Sequence, residues 1–310
     1  MSATSSLSKI AVANAPCSWG VTDDFPAEGP PPAYARVLDE IALAGYAGTE
    51  LGDWGFLPND PVTLRAELER RDLALAGAFV AIDLADPASH AGGEAAALRA
   101  AVLLSECAGP SSAPPCIVLA GAMTDRARVA LAGRIGPEHS LSESQWQAVA
   151  RGAERIALAV RDRTGLRTVF HQHAGSAVET PEETATLLEL TDPELVGLCL
   201  DTGHCTYGGG DALEALRRYG PRVWHVHLKD CDGKVLARAR SEGWDYFRAA
   251  GSRIFCELGR GVVDFPSILG ELARVGYQGW AVVEDEVASG MGSPLESARR
   301  DRAFLRGLGL

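Results

Sequence analysis

Short apolar segments alternate with longer amphipathic segments eight times along this chain, and that alternation restricts the possible folds more than any other feature. The apolar segments have the length of buried strands and the amphipathic ones the length of helices. Strands that alternate with helices build a parallel sheet, because each helix returns the chain to the same edge. The predicted strands are residues 10–16, 48–51, 74–80, 116–120, 167–171, 196–201, 222–228 and 280–284. The predicted helices are residues 34–44, 61–71, 93–107, 142–163, 181–190, 211–218, 265–275 and 294–305.

Eight such units predict an α/β protein that forms a single closed (β/α)8 TIM barrel over residues 8–310. No GxGxxG sequence follows the first strand, which argues against an open dinucleotide-binding sheet. Two connections, residues 121–141 and 231–263, are long enough to cover the barrel mouth. The second contains Trp244, Tyr246 and Phe247, and we expect this aromatic cluster to serve as a lid or as a homodimer contact.

Composition narrows the choice of partners. The net charge of -12 disfavours both nucleic acid and an anionic membrane surface, which leaves a small, mostly uncharged molecule as the expected substrate. Seven cysteines without CxxC spacing predict buried, reduced thiols of a cytoplasmic protein. No apolar run reaches the ~18 residues that a membrane span requires.

Five of the seven histidines lie between residues 166 and 230, at the predicted ends of the fifth, sixth and seventh strands. Alternation along a strand separates an inward from an outward face. In the seventh strand, Trp224, Val226 and Leu228 are predicted to face outward. The residues predicted to face the barrel interior are His171, His173, Gly197, Cys199, Asp201, Val223, His225 and His227.

A divalent metal requires three or four N or O ligands that converge from rigid supports. His171, Asp201 and His227 can supply three of them, and the eighth strand offers a carboxylate. Alternation places Glu284 on the inward face, and Glu286 beside it as a base or substrate contact. The alternative is a set of core polar residues that satisfy one another, but four of them on successive strand ends favour a metal site.

Further candidates surround these four. His204 follows Asp201 by three residues and is either a proton-transfer residue or a partner that orients Asp201. Because an ordinary histidine titrates near neutrality, we expect His204 to act as a general acid. Lys229 is either a catalytic residue that polarises a ketone oxygen or a solvated lysine.

The expected substrate contacts come from several connections. Glu50 ends the second strand and is predicted to bind a substrate hydroxyl, unless it is a surface carboxylate. Trp19, after the first strand, is predicted to wall the pocket. His173, Asp230 and Arg260 complete this group, His173 because it follows His171 by two residues, Asp230 because it ends the seventh strand, and Arg260 because it lies in the second long connection.

The phrases AGYAGTELG, FHQHAGS, LDTGHCTYGGGD, RVWHVHLKD, GRGVVDF and GYQGWAVVEDE resemble the xylose-isomerase-like, sugar phosphate isomerase/epimerase TIM-barrel family. Within it they are most similar to the inosose (2-keto-myo-inositol) dehydratases. The resemblance covers nearly the whole chain and is strongest from Arg167 onward. It implies a divalent metal, commonly Mn²⁺ or Co²⁺ with Zn²⁺ or Mg²⁺ as alternatives. The ligands that it implies are His171, Asp201, His227 and Glu284.

One departure from the family pattern bears on the reaction. The similar epimerases and isomerases place a glutamate at the fifth-strand position, where it and the eighth-strand glutamate move a proton across a sugar carbon. Here that position is His171, so the resemblance implies a dehydratase that eliminates water from a keto-inositol or similar cyclic keto-polyol through an enediolate. Glu284 or Glu286 would remove the α-proton and His204 would protonate the leaving hydroxyl. The alternatives are a sugar isomerase or epimerase and a non-enzymatic sugar-binding barrel.

Overall fold

Eight parallel strands close into a barrel in this computed structural model, which describes residues 7–22, 31–108, 113–285 and 292–310. Going round the barrel, the order is β1–β10–β7–β6–β5–β4–β3–β2, and every neighbouring pair is parallel. The predicted closed (β/α)8 barrel is therefore confirmed. The barrel strands are β1 (Ala11–Asn14), β2 (Gly48–Glu50), β3 (Ala74–Ile82), β4 (Cys116–Gly121), β5 (Arg167–His171), β6 (Val196–Asp201), β7 (Val223–Leu228) and β10 (Trp280–Val283).

Helices follow the strands and pack around the barrel. Three of them have the predicted bounds: Tyr34–Ala44, Pro181–Leu190 and Phe265–Val275. The helix Pro61–Glu69 ends two residues earlier than predicted, and the rest differ at one or both ends by one to three residues. Their first residues are defined by caps: the Thr180 hydroxyl accepts from Glu183 N, and the Ser293 hydroxyl accepts from Glu296 N. The main helices are Tyr34–Ala44, Pro61–Glu69, His90–Cys107, Glu143–Thr164, Pro181–Leu190, Ala212–Tyr219, Phe265–Val275 and Pro294–Gly307. No described helix combines the length and the apolar character needed to cross a membrane.

The strand register brings the polar strand ends to one level. Asp201 is paired with His227, and Val282, two residues before Glu284, is also paired with His227. Val226 and Leu228 pack outward in the core between strands and helices. Small and branched side chains fill the barrel interior below this level: Ala13, Ala76, Val282, Cys116, Val118, Val169 and Cys199. The predicted separation of faces is confirmed for Cys199, Val226 and Leu228.

Trp224 is an exception to the predicted alternation. The pairing of β6 with β7 shifts by one residue between Leu198 and Cys199, so Leu198 is opposite Val223 while Cys199 is opposite His225. The indole of Trp224 consequently lies against Gly197, where a Cβ atom would come within 2.3 Å of it. The guanidinium carbon of Arg167 is 4.7 Å from the centre of that ring. The outward position predicted for Trp224 and the inward position predicted for Val223 were wrong, because a bulge reverses the side on which the residues before it point.

Both long connections contain secondary structure. The first includes a short helix, Arg126–Ala130. The second begins with β8 (Asp230–Cys231), which pairs antiparallel with β9 (Phe255–Cys256), and the helices Gly233–Glu242 and Tyr246–Gly251 lie between these two strands. Asp232 caps the first of these helices by accepting from Lys234 N and Val235 N. The second connection is thus a folded cover that packs over the mouth.

Candidate active site

Four buried side chains from four strands converge at the mouth of the barrel. They are His171, Asp201, His227 and Glu284, and one N or O atom from each lies within 4.8 Å of the others. His171 Nε2 is 3.5 Å from Asp201 Oδ2, and His227 Nδ1 is 3.7 Å from the same oxygen. His227 Nδ1 is also 3.2 Å from Glu284 Oε1. The four residues predicted as ligands therefore do meet at one point.

The donor set fits a divalent metal. Two imidazoles and two carboxylates provide the mixed N and O ligation that zinc, manganese and cobalt accept. Asp201 Oδ2 and His227 Nδ1 are buried and make no hydrogen bond with any described residue. Buried polar atoms almost always have a partner, so two such atoms facing each other indicate a position for a bound ion. Asp201 is held for that purpose by its other oxygen, which accepts from His204 N at 2.7 Å.

Glu50 supports this cluster from below. Its Oε1 lies 2.9 Å from His225 Nε2 and 3.2 Å from His227 Nε2. His227 therefore presents Nδ1 to the four-residue cluster while its opposite nitrogen contacts a carboxylate, the arrangement that orients a metal-binding imidazole. Glu50 also lines the pocket, but both bonds of Oε1 go to histidines, so its principal contacts differ from the predicted substrate hydroxyl.

The carboxylates change the titration of the rings beside them. Burial by itself would lower the pKa of His227, but Glu284, Glu50 and Asp201 outweigh it and raise that pKa to about 9. Burial likewise opposes the charged form of Asp201, and Lys229 together with the neighbouring histidines holds its pKa below the usual range. The ionised Asp201 carboxylate therefore lies beside groups that carry protons, and a bound cation can take the place of those protons.

Lys229 and His204 line the pocket next to the cluster. Lys229 Nζ is 3.0 Å from Glu284 Oε2 and 3.2 Å from His204 Nε2, and it lies 4.5 Å from the centre of the Phe255 ring. The Lys229 side chain is only 1% exposed, so the alternative of a solvated surface lysine is excluded. A carboxylate and an aromatic face both stabilise an ammonium group at this position.

His204 is buried and in contact with several rings. The Ala174 amide donates to its Nδ1 at 3.2 Å, and the centre of the His173 ring is 3.9 Å from its own. Burial, with the positive neighbours His173 and Lys229, lowers the pKa of His204 well below 6.5. The near-neutral pKa expected from the sequence was wrong, because that value applies to a solvated ring. A neutral ring carries one proton, and because Nδ1 accepts from the Ala174 amide, that proton lies on Nε2.

His173 is the second ring in this stack. Its Nδ1 lies 2.9 Å from the Ala174 carbonyl, and its Nε2 is 3.5 Å from the Tyr246 hydroxyl. Burial lowers its pKa well below 6.5 as well. His173 lines the pocket as predicted, and Tyr246, from the cover over the mouth, closes the side behind it.

The cluster opens into a pocket of about 320 Å³. Its inner end is lined by Glu50, His171, His173, His204, Lys229 and Glu284, and the Phe79 ring lies edge-on to His171 with ring centres 6.0 Å apart. Cys17, Trp54 and Arg99 also line the pocket, and the part that carries Trp54 and Arg99 is called its outer wall. Trp54 and Arg99 were not predicted. The DWG sequence after β2 contained a signal, since a tryptophan between a turn aspartate and a glycine is well placed for exposure, whereas the helical position of Arg99 gave none.

Three residues predicted to contact substrate do not line this pocket. Trp19 turns toward the helix Tyr34–Ala44 and donates from Nε1 to Glu40 Oε2 at 2.7 Å. Asp230 begins β8, and its two oxygens accept from four backbone amides, those of Cys231, Gly259, Gly261 and Val263. Arg260 is exposed and lines a separate cavity beyond β9. Glu286 lies outside the described residues.

The comparison with known proteins agrees with this geometry. A profile of the xylose isomerase-like TIM barrel family matches residues 38–308. The inosose dehydratase of Geobacillus kaustophilus (strain HTA426) is 36% identical over 295 residues, which cover 94% of this chain and 92% of that protein. The inosose dehydratase of Clostridium tetani (strain Massachusetts / E88) is 30% identical over 300 residues, 96% of this chain and 97% of that one.

Solved structures share the fold at low identity. An L-ribulose 3-epimerase superposes with a TM-score of 0.68 at 17% identity and covers 97% of this chain and 94% of its own. The probable 3-DHS dehydratase involved in petrobactin synthesis from Bacillus anthracis superposes with a TM-score of 0.66 at 13% identity, over 96% and 98% of the two chains. With a family profile that spans most of its length and relatives of this identity, the chain belongs to the xylose isomerase-like TIM barrel family.

Proposed function

We propose that this chain is a metal-dependent dehydratase that eliminates water from a keto-inositol or a similar cyclic keto-polyol. The observation that carries the proposal is the cluster of His171, Asp201, His227 and Glu284 beside the buried pair Lys229 and His204. The cluster offers metal ligands and the pair offers a proton within the same pocket. The inosose dehydratase relatives support the same reaction class and the same class of substrate.

His171, Asp201, His227 and Glu284 would hold the metal, for which we propose Mn²⁺ or Co²⁺. When bound, such an ion polarises a ketone and stabilises the enediolate formed on loss of the α-proton. Glu284 is suited to two tasks because its oxygens diverge: Oε1 faces His227 Nδ1, and Oε2 faces Lys229 Nζ. We assign removal of the α-proton to Oε2, because Glu284 lines the pocket and this oxygen is not the one that faces His227.

The leaving hydroxyl requires a proton, and we assign its supply to Lys229 and His204 together. Their Nζ and Nε2 atoms are 3.2 Å apart, close enough to share one proton beside the pocket. Ala174 and the stacked His173 ring hold His204 in position. Because the pKa of His204 is lowered, the ring is neutral at rest, and since Nδ1 accepts from the Ala174 amide, the one ring proton lies on Nε2, which faces Lys229 Nζ.

Water is kept from the reacting carbons by the cover over the mouth. Tyr246 is fully buried and its ring is 5.3 Å from that of His173. Exclusion of water strengthens the electrostatic interactions with a developing enediolate and prevents its premature protonation. The folded connection between β7 and the helix Phe265–Val275 therefore belongs to the proposed active site.

The proposal is tested with 2-keto-myo-inositol in deuterium oxide, with metal-loaded protein. We expect deuterium incorporation at the α-carbon and release of the unsaturated or dione product, followed by its absorbance. His204→Gln should retain exchange and slow water loss by ~10²–10⁴-fold, as expected for a lost proton-transfer residue. Exchange by the unmodified protein without any product would contradict the dehydratase and favour the alternative below.

The alternative function is a sugar isomerase or epimerase, which returns the proton to carbon. It needs a second carboxylate across the substrate from Glu284, and the β5 position that would carry it is His171. Glu50 cannot take that role without breaking its contacts with His225 and His227. His171→Glu should therefore raise any epimerising side activity, whereas a sugar-binding barrel without catalysis would show neither exchange nor product.

We also propose a cytoplasmic location. All seven cysteines are described, and all are free thiols, most of them buried. Unpaired thiols are typical of a reducing compartment. Recovery of this protein in active form from an oxidising compartment of its own cell would contradict the cytoplasmic assignment.

A further inference from the structure

The outer wall of the pocket has no part in the chemistry described above. Trp54 lies there with 46% of its surface exposed, and the guanidinium carbon of Arg99 is 5.6 Å from the centre of its ring. Both residues line the same pocket as Lys229 and Glu284. A large aromatic residue exposed inside a pocket is typical of a binding surface, because a bound ligand removes its apolar surface from water.

A constrained turn presents the indole. Gly52 and Gly55 flank this segment with φ values of 69° and 96°, in the left-handed region that favours glycine. Phe56 N donates to the Asp53 carbonyl at 3.0 Å and closes the turn. A Cβ atom on Gly52 would come within 3.0 Å of the Pro16 ring, so the turn also packs against the end of β1. Trp54 is therefore held at the mouth before any ligand arrives.

Arg99 keeps its hydrogen-bond donors available. On the same helix Glu94 pairs with Arg155, and within the described ranges Arg99 takes part in no ion pair. Its planar guanidinium can lie against the indole and still direct N–H groups along the pocket. The donors that remain suit hydroxyl groups of a ligand better than a hydrophobic surface.

The pocket has room for one ring. Its volume of about 320 Å³ exceeds that of a six-membered keto-polyol, whose roughly twelve bonded non-hydrogen atoms each occupy about half of the ~30 Å³ of a liquid water molecule. Because Trp54 and Arg99 line the same pocket as Lys229 and Glu284, a ring bound there can direct its ketone toward the cluster and its far side toward Trp54 and Arg99.

We propose, resting on the proposed function, that Trp54 and Arg99 form the distal half of the substrate site and select a cyclic keto-polyol. The indole packs on the C–H face of the ring, and the guanidinium donates to the hydroxyl opposite the ketone. Both residues determine specificity and neither takes part in proton transfer. An open-chain ketose offers no flat face to the indole, and it is selected against for that reason.

The test on the protein compares Arg99→Met and Trp54→Ala with Arg151→Met, a matched control at an exposed position of the helix Glu143–Thr164. We expect both pocket variants to raise KM for 2-keto-myo-inositol by ~10-fold or more, with kcat changed by less than ~3-fold and metal content unchanged. Trp54→Phe should recover most of the loss. If Arg99→Met and Trp54→Ala have the same kinetic constants as Arg151→Met, the proposal is overturned, and Trp54 and Arg99 form only a surface cation–π pair.

The test on the ligand removes one hydroxyl. An analogue of 2-keto-myo-inositol that lacks the hydroxyl opposite the ketone should lose ~10-fold in kcat/KM with the unmodified protein and almost nothing more with Arg99→Met. Equal losses in the two proteins would contradict the assigned contact. With L-erythrulose, a ketose too short to close into a five- or six-membered ring, as the open-chain probe, Trp54→Ala should reduce the preference for the ring. An unchanged preference would overturn the selection of cyclic substrates.

Binding measurements separate this proposal from the proposed function. Calorimetric titration of metal-loaded protein with myo-inositol, which has no ketone to react, reports the ring site alone. If the unmodified protein binds myo-inositol but releases no product from 2-keto-myo-inositol, the proposed dehydratase activity is contradicted. Weaker binding of myo-inositol by Arg99→Met and Trp54→Ala would still support the subsite in that case. If the unmodified protein does not bind the ring, or both variants bind it equally well, the subsite is overturned.

Discussion

His227 uses both of its ring nitrogens, one toward the four-residue cluster and the other toward Glu50. Strand alternation is sufficient to predict that His227 faces inward, but not which nitrogen does what. The pairing with Glu50 brings together residues that are 177 positions apart. At the scale of single residues, a contact of this kind decides whether a carboxylate binds substrate or orients a ligand.

Glu50→Gln tests the orienting role. The amide cannot hold two imidazoles as the carboxylate does, so we expect metal affinity to fall by ~10–100-fold, the usual cost of losing such a partner. Competition with a chelator at fixed pH measures it. A raised KM with unchanged metal affinity would instead support the substrate-hydroxyl role predicted from the sequence.

Asp201→Asn tests the ligand itself. Asparagine preserves the acceptor for His204 N, which occupies Oδ1, and removes the charge at Oδ2, the buried oxygen without a partner. We expect loss of tight metal binding with the barrel still folded, measured by metal content after purification without chelator and by circular dichroism. Asp162→Asn, at an exposed position, is the control, and normal metal content in Asp201→Asn would contradict the site.

At the scale of elements, the cover over the mouth is anchored by Asp230. Its carboxylate is buried and accepts from four amides, three of which belong to the return segment between Gly259 and Val263. Asp230→Ala leaves these donors without a partner, at about 1–3 kcal/mol each where they stay buried. We expect faster hydrogen exchange or proteolysis of residues 257–263. If residues 257–263 of Asp230→Ala remain as protected as in the unmodified protein while KM rises, the substrate contact predicted for Asp230 is supported instead.

The aromatic cluster in the same cover divides into two parts. Trp244 and Tyr246 are buried within the chain, and Tyr246 contacts His173, while Phe247 is 40% exposed. Tyr246→Ala should lower the rate of dehydration by ~10-fold or more by admitting water, and Phe247→Ala should not. Equal rates of dehydration in Tyr246→Ala and the unmodified protein would contradict the role of Tyr246 as a lid. The homodimer stays a prediction, and Phe247→Ala tests it by the oligomeric state in solution.

The whole molecule contains a buried acid whose charge opposes folding. Burial and the neighbouring Asp285 raise the pKa of Asp301 to about 8, although its Oδ1 accepts from Leu258 N at 2.8 Å. A carboxyl group whose folded pKa is raised stabilises the fold below its unfolded pKa, near 3.8. That contribution is lost as the pH rises toward 8.

Asp301→Asn should remove this dependence. Because the amide keeps the acceptor for Leu258 N and never ionises, the variant should gain stability relative to the unmodified protein between pH 4 and 8, by on the order of 2 kcal/mol. Denaturant unfolding at each pH gives the difference, in which effects common to both proteins cancel. Parallel stability curves would show that Asp301 does not titrate in this range.

The sequence by itself determined the barrel, most helix bounds, the inward face of His171, Asp201 and His227, and the side of the eighth strand that carries Glu284. These are local properties, because apolar periodicity and capping are set by residues a few positions apart. Alternation failed at Trp224, where the shift in register belongs to a pair of strands and not to one.

Only the tertiary structure decided which partners these side chains have. The Glu50 contacts, the Lys229 and His204 pair, the anchoring bonds of Asp230 and the meeting of Trp54 with Arg99 all join distant segments. It also decided protonation, because the pKa of His204 or Asp301 depends on burial and on charges that folding brings near. Strand periodicity predicts the face of the sheet on which a side chain lies, and only closure of the barrel determines which other side chains it contacts.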